Sequence, residues 1–215
     1  MNKTPILLAS GSPRRRELLQ LGGVHFQVMT RPTDETLPDS IAPWEAVLFL
    51  ARQKGRAVRD VCPHQAVLSA DTVVALEGRI LGKPRDEQQA EQMLSFLSGK
   101  THQVYTGVCV FDGHQEHVFY EKTDVTFWSL TEEEIRAYVK TGEPMDKAGA
   151  YGIQGKGALL VERICGDYFN VVGLPLSKTV RLLKQVVPAC LPDEERGRGF
   201  HKNFIFCVPW SRKGR

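Results

Sequence analysis

Ser10-Gly11-Ser12-Pro13-Arg14-Arg15 places two hydroxyls, a glycine and two arginines where the apolar run Ile6 to Ala9 gives way to an amphipathic segment. A strand-to-helix turn of this kind presents free backbone N–H groups and the positive end of a helix dipole, which suits an anion such as phosphate. Helix N-termini favour acidic side chains in the first turn, so arginines there are unfavourable unless an anion neutralises them. An ordinary N-cap followed by a solvated basic face fits the same residues.

Asp71, within Ser69-Ala70-Asp71-Thr72-Val73-Val74, is a carboxylate in a β-branched, apolar run. In that setting it can hold a divalent cation or act as a general base, because burial and a nearby cation set its proton affinity. A strand-end aspartate accepting backbone hydrogen bonds is the simpler alternative. Asp34-Glu35 lies in a loop after Pro32, and brought near Asp71, Glu35 would complete a pair of hard oxygen ligands for a magnesium-type ion that bridges to phosphates. Lys54, and Lys83 between Gly82 and Pro84, offer point charges for phosphate. The segment Gly78 to Pro84 has three residues between its glycines and a proline where a P-loop needs Ser or Thr, which disfavours a P-loop NTPase. His114 and His117 form HxxH at an expected hairpin tip and read as solvated. There is no GxSxG elbow and no GxGxxG after a strand.

These groups must be carried by regular elements. The patterning predicts strands at Pro5 to Ala9, His25 to Thr30 and Ala66 to Leu76, a hairpin of Val104 to Phe111 with Val118 to Phe127, and a strand at Ala158 to Ile164. It predicts helices at Pro13 to Leu21, Ala42 to Arg59, Asp86 to Leu97, Thr131 to Lys140 and Pro175 to Val187. Strands alternating with helices and then a hairpin indicate an α/β fold on a mixed sheet.

With 215 residues, 42% hydrophobic and 25% charged, the chain suits one globular domain with a small appendage and excludes disordered, collagen-like and coiled-coil classes. The net charge of +3 is carried after Pro188, where six Lys/Arg oppose three Asp/Glu. Five cysteines without a CxxC pair fit a reducing compartment. The run Ile6 to Ala9 is too short for a signal peptide, and no stretch approaches the ~18 apolar residues of a membrane span. The expectation is a soluble cytoplasmic protein with no membrane partner.

Ala9 to Arg15, Asp34-Glu35, Lys54, Ser69 to Val74, Leu81 to Pro84, Ser98 to Val108 and Ala148 to Gly155 occur in the order that resembles the Maf family of nucleoside triphosphate pyrophosphatases, over about residues 5 to 187. The resemblance implies hydrolysis of the α–β phosphoanhydride to a monophosphate and pyrophosphate, with a divalent cation, magnesium or manganese. It implies an inosine triphosphatase-like fold: a mixed, elongated sheet with flanking helices in two lobes around a central cleft. Asp71 then matches the proton acceptor, and Ser10, Ser12, Arg14, Arg15, Lys54 and Lys83 match phosphate-handling positions. Glu35, with Asp71, matches the metal-associated acids.

Ala150 to Gly155 is similar to the branch acting on dTTP and UTP, with Arg14, Thr72 and Gln154 at its specificity positions. A glutamine amide offers both donor and acceptor to a pyrimidine O4/N3 edge. The family resemblance also implies nucleotide-pool cleaning and a homodimer. The alternatives are a broader or modified-purine pyrophosphatase, and a non-enzymatic partner in septum formation. Residues 1–187 are expected to form the catalytic domain and 188–215 a poorly ordered tail that departs from the family; nucleic acid is not an expected partner.

Overall fold

The structure, a computed structural model, describes residues 4–38 and 40–192. Strand β1 (Ile6–Leu8) leads into helix α1 (Pro13–Leu21), which is capped by Ser12 and has Pro13 in its first turn, as the sequence predicts. Next come β2 (Phe26–Val28), α2 (Pro43–Arg59), β3 (Val67–Leu76) and β4 (Arg79–Leu81). They are followed by α3 (Glu87–Leu97), β5 (Thr101–Phe111), β6 (Glu116–Phe127) and α4 (Glu132–Val139). Three 3-10 turns, Glu143–Asp146, Ala148–Ala150 and Gly155–Leu160, precede β7 (Val161–Cys165), α5 (Tyr168–Val172) and α6 (Leu176–Val186).

Two elements lie outside the sequence expectation. Strand β4 falls in the segment compared with a P-loop; Glu77 and Gly78 both adopt positive φ, 53° and 77°, and turn β3 back on itself through a tight hairpin. Helix α5 is five residues long, too short for periodicity to reveal, although Asp167 caps it through the N–H groups of Phe169 and Asn170. The strand expected from Ala158 starts at Val161, because the chain before it winds into the third 3-10 turn.

The seven strands form one sheet, ordered β2-β1-β3-β5-β6-β7, with β4 on β3. Strands β2, β1 and β3 are parallel; β3, β5, β6 and β7 are successively antiparallel. One edge of β3 is paired along its length by β5. Its other edge is shared by β1, which reaches only Leu68, and β4, which begins opposite Val74. Among the described residues no strand pairs that edge between these points, so the sheet is notched beside Asp71 and Thr72. The Ala9 N–H donates to Leu68 O at 2.8 Å as β1 leaves, and Ser10 to Arg15 enter the notch from there.

Packing explains the two lobes. One core cluster joins Leu68 and Ala70 of β3 to Leu18, Leu19, Leu174 and Leu183. Another joins Val74 and Leu76 to Leu94, Leu97, Phe127 and Val139. Strand β3 therefore runs through both cores, and its polar pair Asp71-Thr72 falls in the gap between them. A third cluster seats α2 through Ala51 and Val58 against Val67, Cys109 and Phe111 on the opposite face.

The packed chain extends past the domain end drawn at residue 187. The 3-10 turn Pro188–Cys190 returns Cys190 and Leu191 to the core, and the His25 N–H donates to Cys190 O at 2.7 Å. The charge-bearing remainder of the expected tail, 193–215, lies outside the described residues. The four described cysteines are free, and no described helix is long and apolar enough to cross a membrane.

Candidate active site

Side chains alternate across β3, so Asp71 faces α2 while Thr72 faces α1 and α5. Two glycines stand where helix α2 meets the sheet, Gly55 on the helix and Gly107 on β5. A Cβ on Gly107, the residue paired with Asp71, would stand 2.4 Å from Val47 O; one on Gly55 would stand 2.7 Å from Ser69 Oγ. That approach brings Lys54 to Asp71. The Lys54 ammonium makes a close ion pair with Asp71 Oδ1 and lies 3.0 Å from Glu35 Oε1, so one cation bridges both carboxylates. Asp71 is 8% exposed, whereas the Glu35 side chain remains 59% exposed at the cleft mouth.

On the other face Arg15 is buried and fixed by three hydrogen bonds. Its Nε donates to Gly173 O at 2.9 Å, Nη1 to Ser10 Oγ at 3.1 Å and Nη2 to Thr72 Oγ1 at 3.1 Å. The Thr72 hydroxyl is 2.8 Å from Thr106 Oγ1, which donates to Asn170 O. Burial lowers the Arg15 pKa from its ordinary value, with the Asp71 charge opposing the shift. An orphaned guanidinium would be costly here; the carbonyl and hydroxyls hold it as a rigid part of the wall.

Arg14, one residue earlier, points to the cleft mouth, where Asp146 Oδ2 lies 3.4 Å from its Nη1. Burial alone would raise the Asp146 carboxyl; the hydrogen bond and charge of Lys147, then those of Arg14, outweigh it and hold it below its usual value. Lys83 is exposed beside them, in a loop tied to the next one by the Gly149 N–H donating to Gly82 O at 3.0 Å.

These groups surround a cleft of about 650 Å³. Ser10, Ser12, Arg14, Arg15, Glu35, Lys54, Asp71, Thr72 and Lys83, all expected from sequence, line it. Ser10 does so as an acceptor, taking bonds from Arg15 Nη1 and from the Ser12 N–H at 3.3 Å. Gln154 is the exception: it is exposed and absent from the lining, while Tyr151 and Ile153 of the same loop reach the wall. Alternation within AYGIQG turns the glutamine outward.

Sequence reasoning missed Asp146, Lys147 and the buried pair His102–Tyr151, whose Nε2 and Oη are 2.7 Å apart. Asp146-Lys147 immediately precedes the glycine-rich loop, which was the available signal; His102 lies within Ser98 to Val108 but carries no pattern marking it as buried. Of the HxxH residues only His114 sits at the hairpin tip; His117 lies in β6, where its Nε2 pairs with Asp112 Oδ2 at 2.7 Å.

Among the described residues no group of three or more His, Cys, Asp or Glu is arranged to hold a metal ion. The pair Glu35 and Asp71 nevertheless fits magnesium or manganese, because both are hard carboxylates already sharing one cationic group, and such ions take one or two carboxylates with phosphates and waters completing the shell.

The sequence profile described as Maf-like protein matches residues 5–186. A curated protein named dTTP/UTP pyrophosphatase from Bacillus cereus (strain ATCC 10987 / NRS 248) is 54% identical over 184 residues, covering 86% of this chain and 91% of that protein. Its namesake from Bacillus thuringiensis subsp. konkukian (strain 97-27) is 56% identical over 180 residues, covering 84% and 94%. Among solved structures, a HAM1 protein from Coxiella burnetii is 14% identical with a TM-score of 0.47, over 84% of this chain and 98% of that one. With the profile spanning nearly all the described residues and relatives above half identity along most of both chains, the chain belongs to the Maf-like protein family.

Proposed function

We propose that this chain hydrolyses nucleoside triphosphates, dTTP and UTP foremost, to the monophosphate and pyrophosphate. The supporting observation is the placement of Asp71: a carboxylate at the notch between two cores, facing a cleft whose walls carry Arg14, Arg15, Lys54 and Lys83. Phosphoryl transfer needs charge neutralisation and positioning more than covalent chemistry, and this constellation offers both. Arg14, Lys83 and the start of α1 bind the phosphates. Asp71 accepts a proton from the attacking water as its oxygen bonds to the α-phosphorus and the α–β P–O bond breaks, releasing pyrophosphate.

Glu35 and Asp71 would hold a magnesium or manganese ion together with substrate phosphates; when bound, it supplies charge neutralisation and orientation. Lys54 then fixes the Asp71 carboxylate from the α2 side. Apolar wall residues, among them Val74, Ile80, Tyr151 and Ile153, suit a base and sugar. The pyrimidine preference is supported by the names of the curated relatives. It concerns Arg14 and Thr72 at the cleft, and Gln154 only through a loop movement that turns its amide inward. A cytoplasmic homodimer that cleans the nucleotide pool, with no nucleic-acid partner, completes the reading, and light scattering checks the dimer.

The test is pyrophosphate release from dTTP, UTP, dCTP and GTP with magnesium or manganese. Faster release from dTTP and UTP is expected; equal rates for dTTP and GTP would contradict the preference, and inorganic phosphate as the product would contradict the reaction.

A further inference from the structure

Lys147 lies on the cleft wall opposite α1, and its side chain is only 17% exposed. The lysine stem runs directly over Gly152 of the AYGIQG loop, where a Cβ would stand 2.7 Å from Lys147 Cε. The loop is locked in turn by the Glu143 carboxylate, which accepts the Lys156 N–H at 3.1 and 3.2 Å.

An ammonium group has three N–H donors. Lys147 gives one to Glu143 O and one to Asp146 Oδ1, both at 2.5 Å, and among the described residues no acceptor takes the third. Asp146 is itself shared: its Oδ1 meets Lys147 and its Oδ2 meets Arg14, on the far side of the mouth, at 3.4 Å. Two cations from segments more than a hundred residues apart thus converge on one exposed carboxylate, 64% accessible, in the manner of two cations clamping a phosphate group.

We propose that Lys147 is a further phosphate-binding residue of the cleft, and that Asp146 is the internal counter-ion with which the pyrophosphate portion of the substrate competes for Lys147 and Arg14. The inference rests on the pyrophosphatase reading of this cleft. It assigns the glycine-rich loop a role as the seat of a phosphate-binding cation, apart from any contact with the base.

The experiment is calorimetric titration of the full chain with inorganic pyrophosphate and magnesium, beside dTTP turnover and thermal melting, for wild type, Lys147→Met and Asp146→Asn. Lys147→Met is expected to weaken pyrophosphate binding roughly tenfold or more and to raise KM for dTTP by a similar factor, with kcat changed less. Asp146→Asn is expected to tighten pyrophosphate roughly two- to fivefold. Wild-type affinity in a folded Lys147→Met, no binding by the wild type, or unchanged or weaker binding in Asp146→Asn overturns the inference. If Lys147→Met does not fold, Asp146→Asn decides. Wild-type turnover yielding inorganic phosphate from dTTP sinks the pyrophosphatase reading itself, whereas pyrophosphate release with unaltered variants sinks only the role of Lys147.

Discussion

Asp71 on β3 stands directly across from Gly107 on β5, and the missing side chain of Gly107 is what lets α2 bring Lys54 to that carboxylate. The ion pair at the centre of the cleft thus depends on a residue that has no side chain to offer either partner. Gly107→Ala would push a methyl group to 2.4 Å from Val47 O, a backbone atom that can yield only by lifting α2. The expected outcome is a loss of about 3 kcal/mol, the upper end for overpacking, together with reduced turnover in the fraction that folds. Denaturant unfolding of the variant checks this, and a stability within about 0.5 kcal/mol of wild type speaks against so tight a contact.

Thr72 joins the phosphate cradle to the far wall, because its hydroxyl accepts from Arg15 and meets Thr106. Thr72→Val keeps the shape but leaves a buried guanidinium N–H without an acceptor, which costs about 1–3 kcal/mol. KM for the triphosphate is expected to rise as Arg15 loosens, and Thr72→Ser to restore both stability and KM. A Val variant indistinguishable from wild type would mean that Arg15 is held by Ser10 and Gly173 alone.

Glu35 is largely exposed, so its replacement should spare the fold. With Glu35→Gln, the magnesium or manganese concentration giving half-maximal activity is expected to rise roughly tenfold or more, on the scale of other losses around metal sites. Chelator should abolish wild-type turnover and added metal restore it. An unchanged metal titration in the variant assigns Glu35 to Lys54 only.

Burial pushes the His102 imidazole down to about 4 from 6.5; its Nε2 is engaged with Tyr151 and its Nδ1 has no partner among the described residues. The folded state therefore refuses a proton that the unfolded chain accepts below about pH 6.5. Stability from this group is fully present above that value and falls as pH drops toward about 4, by about 1.4 kcal/mol per unit and about 3 kcal/mol in all. Thermal melts of wild type and His102→Gln from pH 7 to pH 4 check the sign: the variant should show the shallower dependence. Parallel curves would place the acid sensitivity elsewhere.

Most of the frame is readable from residues whose local chemistry agrees with the fold. Ser12 with Pro13 and Thr131 with Glu134 mark helix starts within a residue, and the β-branched run around Asp71 gives the central strand. Periodicity fails where elements span less than two periods, as in β4 and α5, and where a glycine-rich loop winds into 3-10 turns instead of extending. The expected phosphate and metal residues converge because β1 ends early beside β3, a pairing no local pattern records. Gln154 shows the limit of reading a loop by its motif: the order of residues names the loop, but only the backbone decides which of them face the cleft.

Everything in this scheme converges on Asp71 taking the proton of the attacking water. Single-turnover hydrolysis of dTTP by wild type and Asp71→Asn, with products identified and unfolding monitored in parallel, addresses that point without relying on substrate preference. The expected result is dTMP and pyrophosphate from the wild type and a rate lower by roughly a hundred- to ten-thousandfold in a folded Asp71→Asn. A folded variant that still turns over at near the wild-type rate would contradict it.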